Sequence, residues 1–403
     1  MYRLTMSGHD SKTLLLYDEQ KHALYDSAMR RFMKTRPEPA GTQFQKETVF
    51  RVSFGKRCNF SCKYCIQPKV FVDQEFDPGL VEQMFRVAGK RGIRHITMWG
   101  GEPALYVSPM KQFTEVVRKI SPQTTISTLS NGTILTDDTT RWLMENDVYL
   151  TISWDGPGQY LRGPDVFRTP EIRKNFLRLY EHNPHNISVN PVITKANFDF
   201  MAYVDWLQKT LGFLPTVGEA GALIVVDDAS RDCVVRDEDL HTFSASAYRA
   251  FTTHGGLFAG ASEQACMFLH RLSTTLFDGP TRCCCTSPNT FSIDLEGNML
   301  VCQSFSKNET DEYGHPYCLG NLKDVPDGGP APYYLPQAFL NYKEEHCATC
   351  LVRKACRANC PYTASQYRES NCKLLKAYYT AVMAYALYML TGDTLTHVEK
   401  IHE

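Results

Sequence analysis

The sequence lacks the features that would direct the protein to a membrane, to the cell exterior or to nucleic acid. Its 43 basic and 44 acidic residues nearly cancel, so no charge excess indicates a nucleic-acid or anionic membrane surface. The N-terminus, MYRLTMSGHDSK, contains no apolar core of a signal peptide. The most apolar late stretch, Ala377–Leu390, has only 14 residues, whereas a membrane span needs about 20. We therefore expect a cytoplasmic protein without nucleic-acid or membrane partners, in which Ala377–Leu390 forms a buried helix.

The chain is instead rich in cysteine, with 15 residues. In a long chain without a signal peptide, this favours metal or cluster ligands over disulfides. Cys58, Cys62 and Cys65 lie in the run CNFSCKYC with the spacing C-x3-C-x2-C. Three thiolates this close together can hold three irons of a [4Fe–4S] cluster and leave the fourth iron open to a substrate or cofactor. The alternative is zinc, which usually needs four ligands in two pairs.

Predicted strands alternate with predicted helices through the first two thirds of the chain. The strands are expected over Val49–Phe54, His95–Trp99, Thr124–Ser130, Val148–Trp154, Ile187–Thr194 and Ala222–Asp227. Six such units imply an α/β fold with a parallel sheet and right-handed crossovers. Active sites of parallel barrels lie at the C-terminal ends of the strands. The cysteine loop and the runs GGEP, SNG and SWDG all fall at those ends.

The cysteine spacing together with the GGEP run resembles the signature of radical S-adenosylmethionine (SAM) enzymes. The resemblance implies a partial (β/α)6 TIM-like barrel, a [4Fe–4S] cluster on Cys58, Cys62 and Cys65, and SAM bound at its open iron. It also implies that polar groups at the strand ends contact SAM. These are the GGEP residues Gly100, Gly101, Glu102 and Pro103, followed by Ser130, Asn131, Ser153 and Arg162. For the last four, an ordinary strand cap or solvated charge is the alternative.

A second group of cysteines occupies the C-terminal third. Cys347, Cys350, Cys356 and Cys360 have the spacing C-x2-C-x5-C-x3-C, and Cys372 follows; upstream, Cys285, Gly297 and Cys302 have the spacing C-x11-G-x4-C. This pattern resembles the seven-cysteine SPASM domain, which binds two auxiliary [4Fe–4S] clusters in peptide- and protein-modifying radical SAM enzymes. The resemblance implies one auxiliary cluster on Cys347, Cys350, Cys356 and Cys372. The other cluster would take Cys302 and Cys360 with Cys283 and Cys285, since side chains at i and i+2 of an extended segment share a face. Cys266 and Cys284 are rival ligands, and a structural zinc domain is the alternative to the clusters.

The same resemblances divide the chain and indicate its activity. We expect an N-terminal extension at 1–47, a radical SAM core at 48–260, a SPASM domain at 261–376, and a C-terminal helix and tail at 377–403. The extension is predicted to contain a hairpin of Tyr2–Met6 and Leu14–Tyr17 and a helix over Lys21–Lys34.

The expected function is that of an enzyme acting on a peptide or protein substrate. It would form an intramolecular thioether or carbon–carbon crosslink and draw electrons from a donor such as flavodoxin or ferredoxin. A sulfatase-maturating enzyme is the alternative, although Gln303 follows Cys302 where that family has an aspartate. The non-enzyme alternative is a multi-cluster electron carrier.

Overall fold

The computed structural model describes residues 1–8, 12–21, 23–31, 47–67, 75–273, 287–356 and 360–401. The helices are α1 (Gly79–Ala88), α2 (Val107–Ile120), α3 (Asp137–Glu145), α4 (Pro170–His182), α5 (Phe200–Leu211), α6 (Asp228–Arg231), α7 (Leu240–Thr253), α8 (Ala259–Ser273), α9 (Gln337–Cys347), α10 (Arg353–Cys356) and α11 (Arg368–Thr391). The strands are β1 (Tyr2–Ser7), β2 (Lys12–Asp18), β3 (Ala23–Asp26), β4 (Thr48–Ser53), β5 (Ile93–Trp99), β6 (Thr125–Ser130), β7 (Val148–Ser153), β8 (Ile187–Asn190), β9 (Val192–Ile193), β10 (Gly221–Ala222), β11 (Thr290–Asp294), β12 (Asn298–Leu300), β13 (Cys318–Asn321) and β14 (Thr394–Lys400).

The centre of the molecule is a parallel sheet whose strands β4, β5, β6, β7 and β8 are neighbours in chain order. Helices separate them along the chain, so the predicted α/β partial barrel is confirmed. Beyond β8, isolated β-bridges and one short strand pair continue the curved sheet. Val217 forms parallel bridges to Val189 and to Phe258, and β10 pairs with β9.

The two faces of this sheet differ in chemistry. Apolar side chains such as Ile96 and Met98 are fully buried, and Thr114 of α2 contacts the Met98 sulfur. Side chains on alternate positions point the other way. There His95 is hydrogen-bonded to the hydroxyls of Thr125, Thr97 and Ser127, at 2.7, 3.1 and 2.9 Å. The barrel therefore has an apolar outer face under its helices and a polar inner face.

The sixth strand is shorter than expected. A strand was predicted over Ala222–Asp227, but strand β10 covers only Gly221–Ala222. The side-chain amide of Asn371 on α11 accepts from Val225 N at 2.6 Å and donates to Val225 O at 2.9 Å. These two bonds use the backbone groups that a sheet neighbour would need, so α11 replaces a strand at this position.

Part of the cysteine-rich region adds to the barrel sheet. Strand β11 pairs in parallel with β4, and β12 and β13 extend the sheet as antiparallel strands. The rings of Phe50 and Phe291 are both buried and stack with centroids 5.0 Å apart. Burying each ring contributes roughly 1.5–3 kcal/mol, so the C-terminal region is packed firmly against the first barrel strand.

The chain termini form a four-stranded antiparallel sheet in the order β14-β1-β2-β3. The predicted hairpin is confirmed, but the helix predicted over Lys21–Lys34 is wrong within the described residues. The Asp18 carboxylate accepts from the backbone N–H groups of Gln20 and Lys21 at 3.0 and 2.9 Å. This closes a turn that returns the chain as β3 instead of starting a helix. Residues 32–34 lie outside the described part.

The predicted buried helix Ala377–Leu390 is confirmed as part of α11, and the tail forms β14. Helix α8 crosses the boundary proposed at residue 260, and α11 crosses the one proposed at 376. The four-part division of the chain remains a proposal. In the described ranges, no helix combines the length and apolarity needed to cross a membrane.

Candidate functional site at the C-terminal ends of the barrel strands

The loop after β4 carries the three cysteines of the CNFSCKYC run. Cys62 is partly buried, while Cys58 and Cys65 are exposed. A turn from Cys65 N to Cys62 O, at 3.2 Å, closes the segment between the last two cysteines. Burial raises the pKa of Cys62 to about 11, with a lowering effect from Arg162 and raising effects from Cys65 and Cys58. The three thiols are therefore close enough for their charges to interact, with a guanidinium beside them.

The donor set at this loop fits an iron–sulfur cluster. In a [4Fe–4S] cluster each thiolate binds its own iron. Three thiols on a loop at the open end of the barrel match this requirement and would leave one iron for another ligand.

The GGEP run after β5 is joined to the cysteine loop through backbone hydrogen bonds. Gly101 N donates to Gly55 O at 2.9 Å, and Glu102 N donates to Arg57 O at 2.8 Å. A Cβ on Gly101 would overlap the carbonyl oxygens of Arg57 and Lys56. Only glycine therefore allows this close approach, and the two loops form one unit. Pro103 then starts a short 3-10 turn.

The Glu102 carboxylate ties the end of β5 to the end of β6. It accepts from Ser130 Oγ at 2.6 Å, from Asn131 N at 2.7 Å and from Ala104 N at 2.9 Å. Burial raises the pKa of Glu102, and these hydrogen bonds oppose that rise. The Asn131 amide donates to Asn59 Oδ1 of the cysteine loop at 2.8 Å. In this arrangement, the hydrogen bonds of Ser130, Asn131 and Glu102 connect the ends of β5 and β6 to the cysteine loop.

Asp155, after β7, collects a second set of contacts and is fully buried. It accepts from Tyr64 Oη of the cysteine loop, from Arg162 Nη2 at 3.2 Å and from Val192 N at 2.9 Å. The guanidinium of Arg162 also lies 5.6 Å from the centre of the Tyr64 ring. This cluster, which we call the Asp155 hub (Tyr64, Asp155, Arg162 and Val192), connects the last cysteine of the loop to β7 and β9.

Arg162 keeps one buried donor free of any partner among the described residues, namely its Nε. Burial would lower the pKa of Arg162, but Asp155, Tyr64 and Cys62 together hold it above its ordinary value. A charged group with an unused donor beside the cysteine loop fits an anionic ligand such as a carboxylate. Ser153 lies at the end of β7, opposite Asn190 of β8.

Sequence reasoning assigned no cluster or SAM role to Tyr64 or to Asp155. Tyr64 was visible as the aromatic residue before the last cysteine, and Asp155 as part of the SWDG run. Their pairing depends on the approach of the cysteine loop to β7, which no local pattern encodes.

Four cysteines of the C-terminal region line one cavity. Its lining comprises Tyr342, Cys347, Cys350, Val352, Arg353, Cys356, Cys372 and Lys376. Burial, together with the nearby Cys350 and Cys372, raises the pKa of Cys347 to about 11. The structure thus brings together the four cysteines that the resemblance to the SPASM domain grouped.

Cys302 and Cys360 lie in a separate place. Cys302 packs in an aromatic cluster with Tyr317 and Tyr362. Burial, together with Asp311 and Cys360, raises the pKa of Tyr317 to about 12. Cys302 and Cys360 therefore flank the same tyrosine. Cys266 is partly buried on α8. The other predicted ligands, Cys283, Cys284 and Cys285, lie outside the described residues.

Comparison with known proteins shows that the part of the chain with the cysteine loop and the GGEP run is similar to a known family. Residues 52–198 match the sequence model of the Radical SAM superfamily. The probable GTP 3',8-cyclase of Pyrococcus horikoshii is 33% identical over 90 residues, which are 22% of this chain and 28% of that protein. The GTP 3',8-cyclase of Mannheimia succiniciproducens is 27% identical over 179 residues, or 41% of this chain and 51% of that protein. The chain thus spans only about a quarter to a half of these relatives.

Solved structures resemble a larger part of the chain. The native anSMEcpe structure with bound AdoMet and Cp18Cys peptide has a TM-score of 0.60 at 16% identity, covering 86% of this chain and 98% of that one. Streptococcus suis SuiB bound to precursor peptide SuiA has a TM-score of 0.54 at 15% identity. The similarity covers 78% of this chain and 72% of the SuiB chain. At such identities the similarity establishes a shared fold.

Proposed function

We propose that this chain, whose residues 52–198 are a radical SAM domain, is a peptide maturase that forms an intramolecular crosslink in its substrate. The observation that carries the proposal is the meeting of the cysteine loop, the GGEP run and the Asp155 hub at one end of the parallel sheet. That end is where parallel barrels hold their ligands.

The radical SAM domain implies SAM and one [4Fe–4S] cluster, and Cys58, Cys62 and Cys65 would hold the cluster. When bound, this cluster would supply the electron for cleavage of SAM to methionine and a 5′-deoxyadenosyl radical. The chain itself binds and orients. The backbone of Gly100, Gly101 and Pro103 offers close approach to the amino group of SAM. Arg162, with its unused Nε donor, offers a partner for the carboxylate.

The remaining strand-end residues have positioning roles in this proposal. Glu102 uses its carboxylate to hold Ser130 and Asn131, and through Asn131 it holds the cysteine loop. Ser153 remains a candidate SAM contact at the end of β7. Asp155 orients Arg162 and Tyr64, so that the loop and the anion-binding group keep a fixed separation.

The C-terminal cysteines would hold two auxiliary [4Fe–4S] clusters in a SPASM-like domain. The cavity lined by Cys347, Cys350, Cys356 and Cys372 supports one of them. The common neighbour of Cys302 and Cys360 supports the second, which needs further ligands from Cys283, Cys285, Cys284 or Cys266. These clusters would accept the electron that remains after the new bond forms.

A peptide substrate is favoured by two structures of similar fold that contain one, anSMEcpe with the Cp18Cys peptide and SuiB with SuiA. The relatives with a GTP 3',8-cyclase name match only a part of the chain, so they support the domain more than the substrate. An electron donor such as flavodoxin or ferredoxin would complete the system.

Crosslinking is favoured over oxidation of a cysteine or serine to formylglycine because of Gln303. Its Oε1 accepts from Arg51 at 2.9 Å, and an amide cannot take up a proton at neutral pH. The sulfatase-maturating alternative needs a base here, so it is the second candidate.

Mass spectrometry of a peptide encoded beside the gene and co-expressed with this protein tests the proposal. A crosslink lowers the peptide mass by about two hydrogens and leaves a span without backbone fragment ions, because two side chains are joined. An aldehyde at a single cysteine or serine would favour the second candidate. A product with an added methyl group would contradict both.

A further inference from the structure

The pairing of β4 with β11 brings a barrel loop and a C-terminal loop together. Ser53, the last residue of β4, is the register partner of Asp294, the last residue of β11. Lys56 follows β4 and lies two residues before Cys58. Cys302 and Gln303 follow β12. Lys56 Nζ donates to Gln303 O at 2.9 Å, which joins the two loops directly.

Lys56 is a partly buried cation between two sets of cysteines. It lies two residues before Cys58, and its Nζ contacts the backbone oxygen of Gln303, the residue after Cys302. Within the described part of the chain, no carboxylate forms a salt bridge with Lys56 at 4.0 Å or less. The ammonium therefore lies beside both the cysteine loop and the C-terminal region, without a carboxylate in direct contact.

We propose that Lys56 is a shared cation for two iron–sulfur sites, the one on Cys58, Cys62 and Cys65 and the one that includes Cys302, and that it raises the reduction potential of both. The inference rests on the proposed function, because it requires both clusters. Reduction adds a negative charge to a cluster, and a nearby cation stabilises the reduced state. Charge and burial are among the properties that set cluster potentials.

A shared cation has a specific consequence for the reduction potentials of the two clusters. Because Lys56 acts on both sites, its removal must lower both in the same direction. A residue that only supported the loop would alter cluster content instead. Partial burial also limits screening by salt, so the effect should persist at moderate ionic strength.

The test is a redox titration of the full-length, anaerobically reconstituted protein, followed by electron paramagnetic resonance. Binding of SAM identifies the signal of the radical SAM cluster, because only that cluster has an open iron. The variants are Lys56→Met, which removes the charge, and Lys56→Gln, which removes it but keeps a donor for Gln303 O. Lys90→Met is the matched control, since Lys90 is an exposed lysine in the turn before β5, away from the strand ends that carry the cysteine loop.

In both Lys56 variants we expect the reduction equilibrium of each cluster to shift about tenfold toward the oxidised form, which is about 59 mV for a one-electron couple. Lys90→Met should leave both potentials unchanged, and Lys56→Arg, which keeps the charge, should retain the wild-type potentials. Unchanged potentials in variants with wild-type iron content would overturn the inference, and so would a shift at one cluster alone. If Lys56→Met binds no iron, the reduction potentials of Lys56→Gln decide between these two outcomes.

The two proposals can fail separately. If the wild-type protein binds no iron–sulfur clusters, or if no signal responds to SAM, the proposed function and this inference both fall. If wild-type protein shows both clusters and the Lys56 variants keep their potentials, only the inference about Lys56 is overturned.

Discussion

Replacing Asp155 with Asn would remove one charge from the Asp155 hub while keeping its shape. The Asp155 and Arg162 side chains are 0% and 11% exposed, and their contact is 3.2 Å. Breaking a buried ion pair from one side leaves an uncompensated charge, which typically costs about 3–5 kcal/mol. Asn keeps one acceptor oxygen for Val192 N or for Arg162. We therefore expect the free energy of unfolding to fall by about 3 kcal/mol, at the lower end of that range.

Urea denaturation of the full chain, followed by circular dichroism, measures this change. The matched control is Glu115→Gln, which breaks an ion pair with Lys119 whose side chains are 65% and 70% exposed. Exposed pairs of this kind contribute little, so its midpoint should stay close to wild type. If Asp155→Asn were no more destabilising than Glu115→Gln, the hub would not be a stabilising contact and its role in fixing the cysteine loop would be refuted.

Three further predictions concern separate parts of the structure. Gly101→Ala should prevent docking of the GGEP run on the cysteine loop and reduce iron content and SAM cleavage, whereas Gly221→Ala, which meets nothing within 4 Å, should retain both. Burial and the neighbouring Arg94 and Arg51 lower the pKa of His95 from 6.5 to about 4. Because the unfolded chain takes up this proton first, the free energy of unfolding should fall by roughly 3 kcal/mol between pH 6.5 and 4. His95→Gln should flatten that slope, and equal slopes in both proteins would contradict the assignment. Cys356→Ala should remove about one third of the iron if three equal clusters are present, and loss of none would exclude Cys356 as a ligand.

The part of the fold that follows from local pattern was predictable from the sequence. The alternation of strands and helices fixed the parallel barrel, and the strand ends carried the cysteine loop and the GGEP run. The resemblance to the SPASM domain grouped Cys347, Cys350, Cys356 and Cys372, which do line one cavity. Such features depend on neighbours along the chain, which periodicity and spacing report.

The parts that depend on distant partners were not predictable. Val225 fails to extend a strand because Asn371, 146 residues away, takes its backbone groups. The tail pairs as β14 with β1, and β11 joins β4, although neither edge carries a local signal of its partner. Lys56 is likewise an unremarkable loop lysine in sequence, and only the β4–β11 register brings it beside Cys302.

The most direct test of the account is the release of 5′-deoxyadenosine from SAM. Anaerobically reconstituted wild-type protein, incubated with dithionite and SAM, should release it, because Cys58, Cys62 and Cys65 would hold the cluster that supplies the electron. The variant with all three changed to Ala should release none above background while retaining about two thirds of its iron on the C-terminal cysteines. Equal release by the variant and the wild type would contradict the assignment of the radical SAM cluster to Cys58, Cys62 and Cys65.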